Sequence, residues 1–135
     1  MRYVVLAVGR VRPPYSDDVQ HYRKMLGGYC RVEQIELRSA QDVERRIPER
    51  AHVVLLDRAG RELDSDGFAR WIDERRLAAV DVCFVIGGPY GTELERCDER
   101  ISFGPITLPH QLARVVLLEQ IYRAHKIIAG EPYHH

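Results

Sequence analysis

Lysine is nearly absent. Of 20 basic residues only Lys24 and Lys126 are lysine, and the rest are arginine. Net charge is absent too, because the 20 bases meet 20 acids. Such a chain is no simple polyelectrolyte that adheres to nucleic acid through bulk positive charge, although a local basic patch stays open. No run approaches the roughly 18 apolar residues a membrane span needs. The opening Met1–Leu6 has no small-residue cleavage pattern and reads as a first strand rather than a signal peptide. Cysteine is sparse: Cys30, Cys83 and Cys97 are odd in number, widely spaced and form no CxxC pair. That argues against a disulfide framework or a metal site and makes a reducing cytoplasm the default setting. The three read as buried thiols that pack like small hydrophobes. No internal repeat or low-complexity segment is visible.

What is there fits one globular domain spanning residues 1–135, of 15.6 kDa and 45% hydrophobic. A chain of this mass buries roughly 68% of its unfolded surface, a real but modest core. Charge is unevenly spread: residues 1–31 carry six bases and two acids. Arg10, Arg12, Arg23 and Lys24 are therefore candidate phosphate contacts.

Tyr3–Val8, His52–Leu56 and Val82–Ile86 are short, nearly continuous runs of Val, Leu and Ile. Strands buried on both faces look like this. Arg31–Leu37 alternates imperfectly and belongs nearer a sheet edge. Between the runs lie helical patterns. Ser16 is placed to cap a helix of about 17–26, closed by Gly27 and Gly28. Ser39–Asp42 opens a short helix that Pro48 ends. Ser65 or Asp66 opens a longer one through Leu77. Thr92–Glu95 has the pattern of a capping box. This alternation predicts an α/β fold with an open, mainly parallel sheet flanked by helices. The last helix, about 111–129, is apolar around most of its circumference, with Glu119, Arg123 and Lys126 on one narrow polar stripe. It needs more than one packing partner, and a second subunit in a two-fold homodimer would supply it.

Three segments are candidates for chemistry. Ile86–Gly91 follows a buried strand and carries three glycines, but has neither GxGxxG nor the lysine of a phosphate loop. Ser102–His110 is an apolar loop framed by two prolines and a glycine, suited to an uncharged heteroaromatic ring between Ile106 and Leu108. His110, at the helix start, reads as a structural histidine. The tail, Gly130–His135, offers Tyr133 for stacking on a base and His134 and His135 as groups that titrate near neutral pH.

Together, Ile86–Gly91, Ile106–Gln111, Glu119–Ala124 and Pro132–His134 resemble the RlmH family, SPOUT-class methyltransferases acting on pseudouridine in large-subunit ribosomal RNA. Val8–Arg10 and Leu56–Gly60 match in place, and the resemblance spans the whole chain. It implies a deep trefoil knot in the C-terminal part, S-adenosylmethionine held there, a homodimer, and methylation at N3 of a 23S rRNA pseudouridine on the assembled ribosome, without a metal. It implies a cofactor site made of Leu56, Gly88, Gly104, Pro105, Ile106, Thr107, Leu108 and Pro109. It also implies a catalytic group in which His134 is base or proton relay. His135 or Arg123 would then stabilise the developing negative oxygens, and Tyr133 would position the base. The chain departs from the family in three places: a shorter segment between Leu37 and His52, Gly104-Pro105 before Thr107, and His135 where Lys or Arg is usual. Two other readings stay open, a catalytically silent ribosome-binding module and a small nucleotide-binding or hydrolytic enzyme using His110 and Asp57.

Overall fold

Two apolar strands, β1 (Arg2–Val8) and β4 (Val82–Ile86), lie side by side with almost every side chain buried. In the computed structural model, which describes residues 1–87 and 94–133, they form the centre of a five-stranded sheet. β2 (Arg31–Leu37) adds to β1, β3 (His52–Glu62) to β4, and β5 (Glu99–Ser102) to β3, giving the order β2-β1-β4-β3-β5. Every pairing is parallel. All carboxyl ends therefore lie on one side, where open α/β sheets bind ligands.

One face is covered by α1 (Tyr15–Leu26), α3 (Ser65–Leu77) and α4 (His110–Ile128), with α4 packed against both of the others. Val19, Leu26, Phe68, Trp71, Ile72, Leu117, Leu118 and Ile121 meet Tyr3, Val5, Val54 and Phe84 there. A smaller core on the opposite face gathers Val4, Leu6, Val53, Leu55 and Val85 under Val43 and Ile47. Val43 begins the one-turn α2 (Val43–Arg46), which follows a 3-10 turn, Ala40–Asp42, capped by Ser39 Oγ accepting from the Gln41 amide at 3.2 Å. No helix among the described residues is long and apolar enough to cross a membrane.

The anticipated sheet, the edge position of the second strand and the last helix are all present. The three cysteines are unpaired thiols, but only Cys83 is buried, and Cys30 and Cys97 are half-buried. Other details differ as well. The first helix starts at Tyr15, not after a Ser16 cap, because Pro14 already holds a helical φ of −81°. The cap of α3 is Asp64, whose carboxylate accepts from the Gly67 amide at 2.7 Å. β3 runs six residues beyond Leu56, and β5 was not anticipated at all. Of the Thr92–Glu95 pattern, the first two residues lie outside the described ones, and Leu94 and Glu95 are not helical. The second packing partner anticipated for α4 is supplied in part within the chain, by α1 and α3.

β5 sends one apolar side chain, Ile101, into the larger core and is otherwise held by polar contacts. Glu99 accepts from Trp71 Nε1 at 3.1 Å and lies 2.6 Å from His52 Nε2, and Arg75 stacks over the Trp71 ring at 4.4 Å.

Candidate functional site at the carboxyl ends of the strands

The loop after β5 has a distance to cover. It leaves Ser102 at the outer edge of the sheet and enters α4 beside Gly9, which follows β1. β3 and β4 lie between those strands, so the loop crosses three strand spacings, about 14 Å. Fully extended, eight residues span up to about 28 Å, so the loop bridges that distance with length to spare, at the end of the sheet where Leu56 and Gly87 also lie. Topology alone thus gathers Leu56, Gly104, Pro105, Ile106, Thr107, Leu108 and Pro109 at one end of the sheet. Gly88 lies outside the described residues.

Two devices shape this loop. Gly104 turns at φ +110°, a conformation that favours glycine, and its amide and carbonyl both bond Ser102 Oγ, at 3.0 and 2.9 Å. Opposite, β3 departs from β5 between Leu56 and Arg61, throwing out Asp57–Gly60. Asp57 pairs with Arg100 at 2.9 Å and accepts from the Ala59 amide at 3.1 Å. The excursion delivers Arg58, whose guanidinium donates to Thr107 Oγ1 at 3.0 Å. The amides of Ile106, Thr107 and Leu108 have no protein partner among the described residues, and Ile106 is 74% exposed. Free backbone donors beside an uncovered apolar side chain suit a ring that carries both polar edges and apolar faces.

Asp57 and His110 do not converge as a hydrolytic pair. Asp57 is engaged by Arg100, while His110 faces Gly9. No group of three or more His, Cys, Asp or Glu suited to a metal occurs among the described residues.

Tyr133 folds back along α4. Its hydroxyl donates to Glu119 at 3.2 Å, its ring meets Tyr122 edge-on, and Arg123 stacks over it at 4.4 Å while bonding Glu119 at 3.2 Å. Burial, and next the Glu119 carboxylate, push the Tyr133 phenol up to about 12. Beside this cluster runs a groove lined by Asp64, Ser65, Asp66, Arg123, Ile127 and Tyr133. His134 and His135 lie outside the described residues. Arg123 sits 13 residues into α4, so about 20 Å of helix separates it from the start of α4 and the end of the loop. Within one chain the tail and the loop occupy different places.

The four candidate phosphate contacts are all exposed but fall into two pairs. Arg10 and Arg12 precede α1 at the carboxyl end of the sheet, and Arg23 and Lys24 close α1 about 16 Å away. Arg58 and Ser102 fall inside segments the sequence marks for chemistry or by family resemblance, without the roles they take here, and Glu36 and Arg114 fall inside none. Arg114 was the legible one, a lone cation inside an otherwise apolar helical turn.

The chain matches the family model described as "Predicted SPOUT methyltransferase" over residues 1–134. It is 46% identical to a protein of Rubrobacter xylanophilus named ribosomal RNA large subunit methyltransferase H, with 98% of each chain covered. Proteins of the same name from Gemmatimonas aurantiaca and Carboxydothermus hydrogenoformans are 39% and 38% identical, with 99% of each chain covered. The first alignment spans 158 positions, so the relative carries residues this chain lacks. Among solved structures, TrmJ from Z. mobilis ZM4 shares the fold, with a TM-score of 0.50 and 14% identity over all of this chain and 73% of that one.

Proposed function

Because the chain belongs to the SPOUT methyltransferase family, we propose that it methylates large-subunit ribosomal RNA, at N3 of a 23S pseudouridine on the assembled ribosome, as a cytoplasmic homodimer. The observation that carries this reading is the Ser102–Pro109 loop, which joins β5 to α4 at the carboxyl end of the sheet, with the amides of Ile106, Thr107 and Leu108 unpaired among the described residues and Ile106 exposed. These residues fit S-adenosylmethionine: the amides of Ile106, Thr107 and Leu108 match the polar edge of its adenine, and Leu56, Ile106 and Leu108 its faces. We place the loop inside a trefoil knot, on the strength of the family resemblance.

Bound there, the cofactor supplies a methyl group already activated on a sulfonium, so the protein's task is alignment for in-line displacement. The N3 proton of pseudouridine lies between two carbonyls and is weakly acidic. His134 takes it directly or through a relay, and a neighbouring cation, His135 or Arg123, stabilises the negative oxygens. Arg123 and Glu119 hold Tyr133 against α4, so that the ring positions the target base. The length of α4 between the tail and the loop supports a dimer in which one protomer's tail serves its partner's loop. Half-exposed Leu112 and Val116 and exposed Ile127 lie outside both cores and would join the interface. Arg10, Arg12, Arg23 and Lys24 contact phosphates, which position rather than specify.

The test is reconstitution. The purified chain, S-adenosylmethionine and ribosomal particles from a strain lacking the protein are combined, and the RNA is read by mass spectrometry. One added methyl group on a 23S pseudouridine is expected. Unmodified RNA despite calorimetric binding of S-adenosylmethionine overturns the substrate, and absent binding overturns the cofactor. A monomer in sedimentation at micromolar concentration overturns the dimer.

A further inference from the structure

Arg114 is the one arginine buried in the core, with 2% of its side chain exposed. Its Nη1 donates to Glu36 Oε2 at 2.8 Å and its Nη2 to the Gly9 carbonyl at 3.2 Å, while Nε is buried with no partner among the described residues. Replacing a buried ion pair by packed apolar side chains is often neutral or stabilising, so the pair is weak evidence for stability as such. What it does supply is position. The Glu36 oxygen that takes Arg114 also accepts from the Val11 amide at 2.6 Å. The Arg12 amide donates to Gln111 Oε1 at 2.7 Å, and the Gly9 amide to the Leu37 carbonyl at 2.8 Å. Gly9 holds φ +100°, and a Cβ there would stand 3.6 Å from His110 Nε2. Gly9, Val11 and Arg12 are thus each pinned through the backbone, to the end of β2 or the first two turns of α4. The side chains of Arg10 and Arg12 stay exposed. Burial raises the Glu36 carboxyl, but the Arg114 and Val11 bonds outweigh it and hold it below the usual carboxylate range. It is charged at neutral pH.

We propose that Arg114 and Glu36 are a positioning pair: they fix the arginine-bearing loop Gly9–Arg12 against the start of α4, and so set where RNA phosphates lie relative to the Ser102–Pro109 loop. The inference rests on the functional reading above. α4 begins where the Ser102–Pro109 loop ends, so one buried guanidinium ties the two ligand-facing loops to a common helix.

The experiment is a double-mutant cycle on the full-length chain, read as the Kd for ribosomal particles and, separately, the Kd for S-adenosylmethionine. Glu36→Gln keeps the shape, removes the charge and leaves an amide oxygen to accept from Arg114, and a thermal melt checks that the variant folds. It should weaken particle binding by roughly ten-fold, the share of one charge-assisted hydrogen bond, and leave cofactor affinity within about two-fold. In an Arg10→Gln/Arg12→Gln background the same substitution should add little, because residues acting through one another are not additive. Arg114→Lys should behave as Glu36→Gln does. The proposal is overturned if Glu36→Gln costs the same in both backgrounds, if cofactor affinity falls in parallel, if particle binding is unchanged, or if the E36Q chain does not fold. Failure of the functional reading shows differently, as a wild-type chain that binds particles or cofactor but transfers no methyl group.

Discussion

Tyr3 and His125 bury two titratable groups against each other. The phenol and Nε2 lie 2.7 Å apart, with 0% and 5% of the residues exposed. Burial, then the N-terminal ammonium and Arg76, hold the imidazole below its ordinary value, and burial pushes the phenol far above its own. Both groups are therefore neutral in the fold at pH 7. Where an unfolded histidine, near pH 6.5, binds a proton that the folded one refuses, stability rises with pH. Stability should be complete above about 6.5 and fall as the pH drops below it. Thermal melts are expected to move down by a few degrees between pH 7.5 and 5.5, and the Tyr3→Phe/His125→Leu double variant should flatten that interval. An unchanged slope in the double variant would remove His125 as its source.

At the scale of elements, the long β3 and the short β5 decide whether the candidate site is assembled. Gly60 is the tightest point between them: a Cβ there would stand 2.7–2.9 Å from the backbone of Arg100 and Ile101. Gly60→Ala must push the strands apart, at a cost of about 1–3 kcal/mol, the usual range for overpacking. The push also displaces Asp57–Gly60 and with it Arg58 from Thr107. Denaturant unfolding should show the loss, together with weaker binding of S-adenosylmethionine; full affinity in the variant would uncouple the excursion from the loop. These same elements mark where the sequence was readable. β1 and β4 are legible because each is buried on both faces and writes that burial as an unbroken apolar run. β5 is not, because Glu99-Arg100-Ile101-Ser102 has one apolar residue and is secured by Glu99's polar contacts. The extension of β3 through Asp57–Glu62 escapes for the same reason, since backbone pairing leaves no hydrophobic pattern. The proline-framed loop is visible as a motif, but its neighbours at the site follow from strand order, which no local pattern encodes.

For the whole molecule, zero net charge conceals a division. Arg10 and Arg12 lie at the carboxyl end of the sheet, Arg23 and Lys24 at the other end of α1. A ribosomal surface that meets both ends should register each pair as released counterions. Neutralising either pair to Gln is expected to lower the slope of log Kd against log salt by about 1.5, from two phosphate contacts at roughly 0.7–0.9 each. A slope that does not move for one pair takes that end of α1 out of the contact surface.

α4 supplies Leu117, Leu118, Ile121, Tyr122 and Ala124 to the larger core and packs against both α1 and α3. Before α4 docks, α1 and α3 cover that face of the sheet without the helix that packs against both of them. The parallel sheet adds pairings distant along the chain, such as β1 with β4, which are slow to close. The larger core is thus complete only once α4 has docked, whatever the order in which the other elements form.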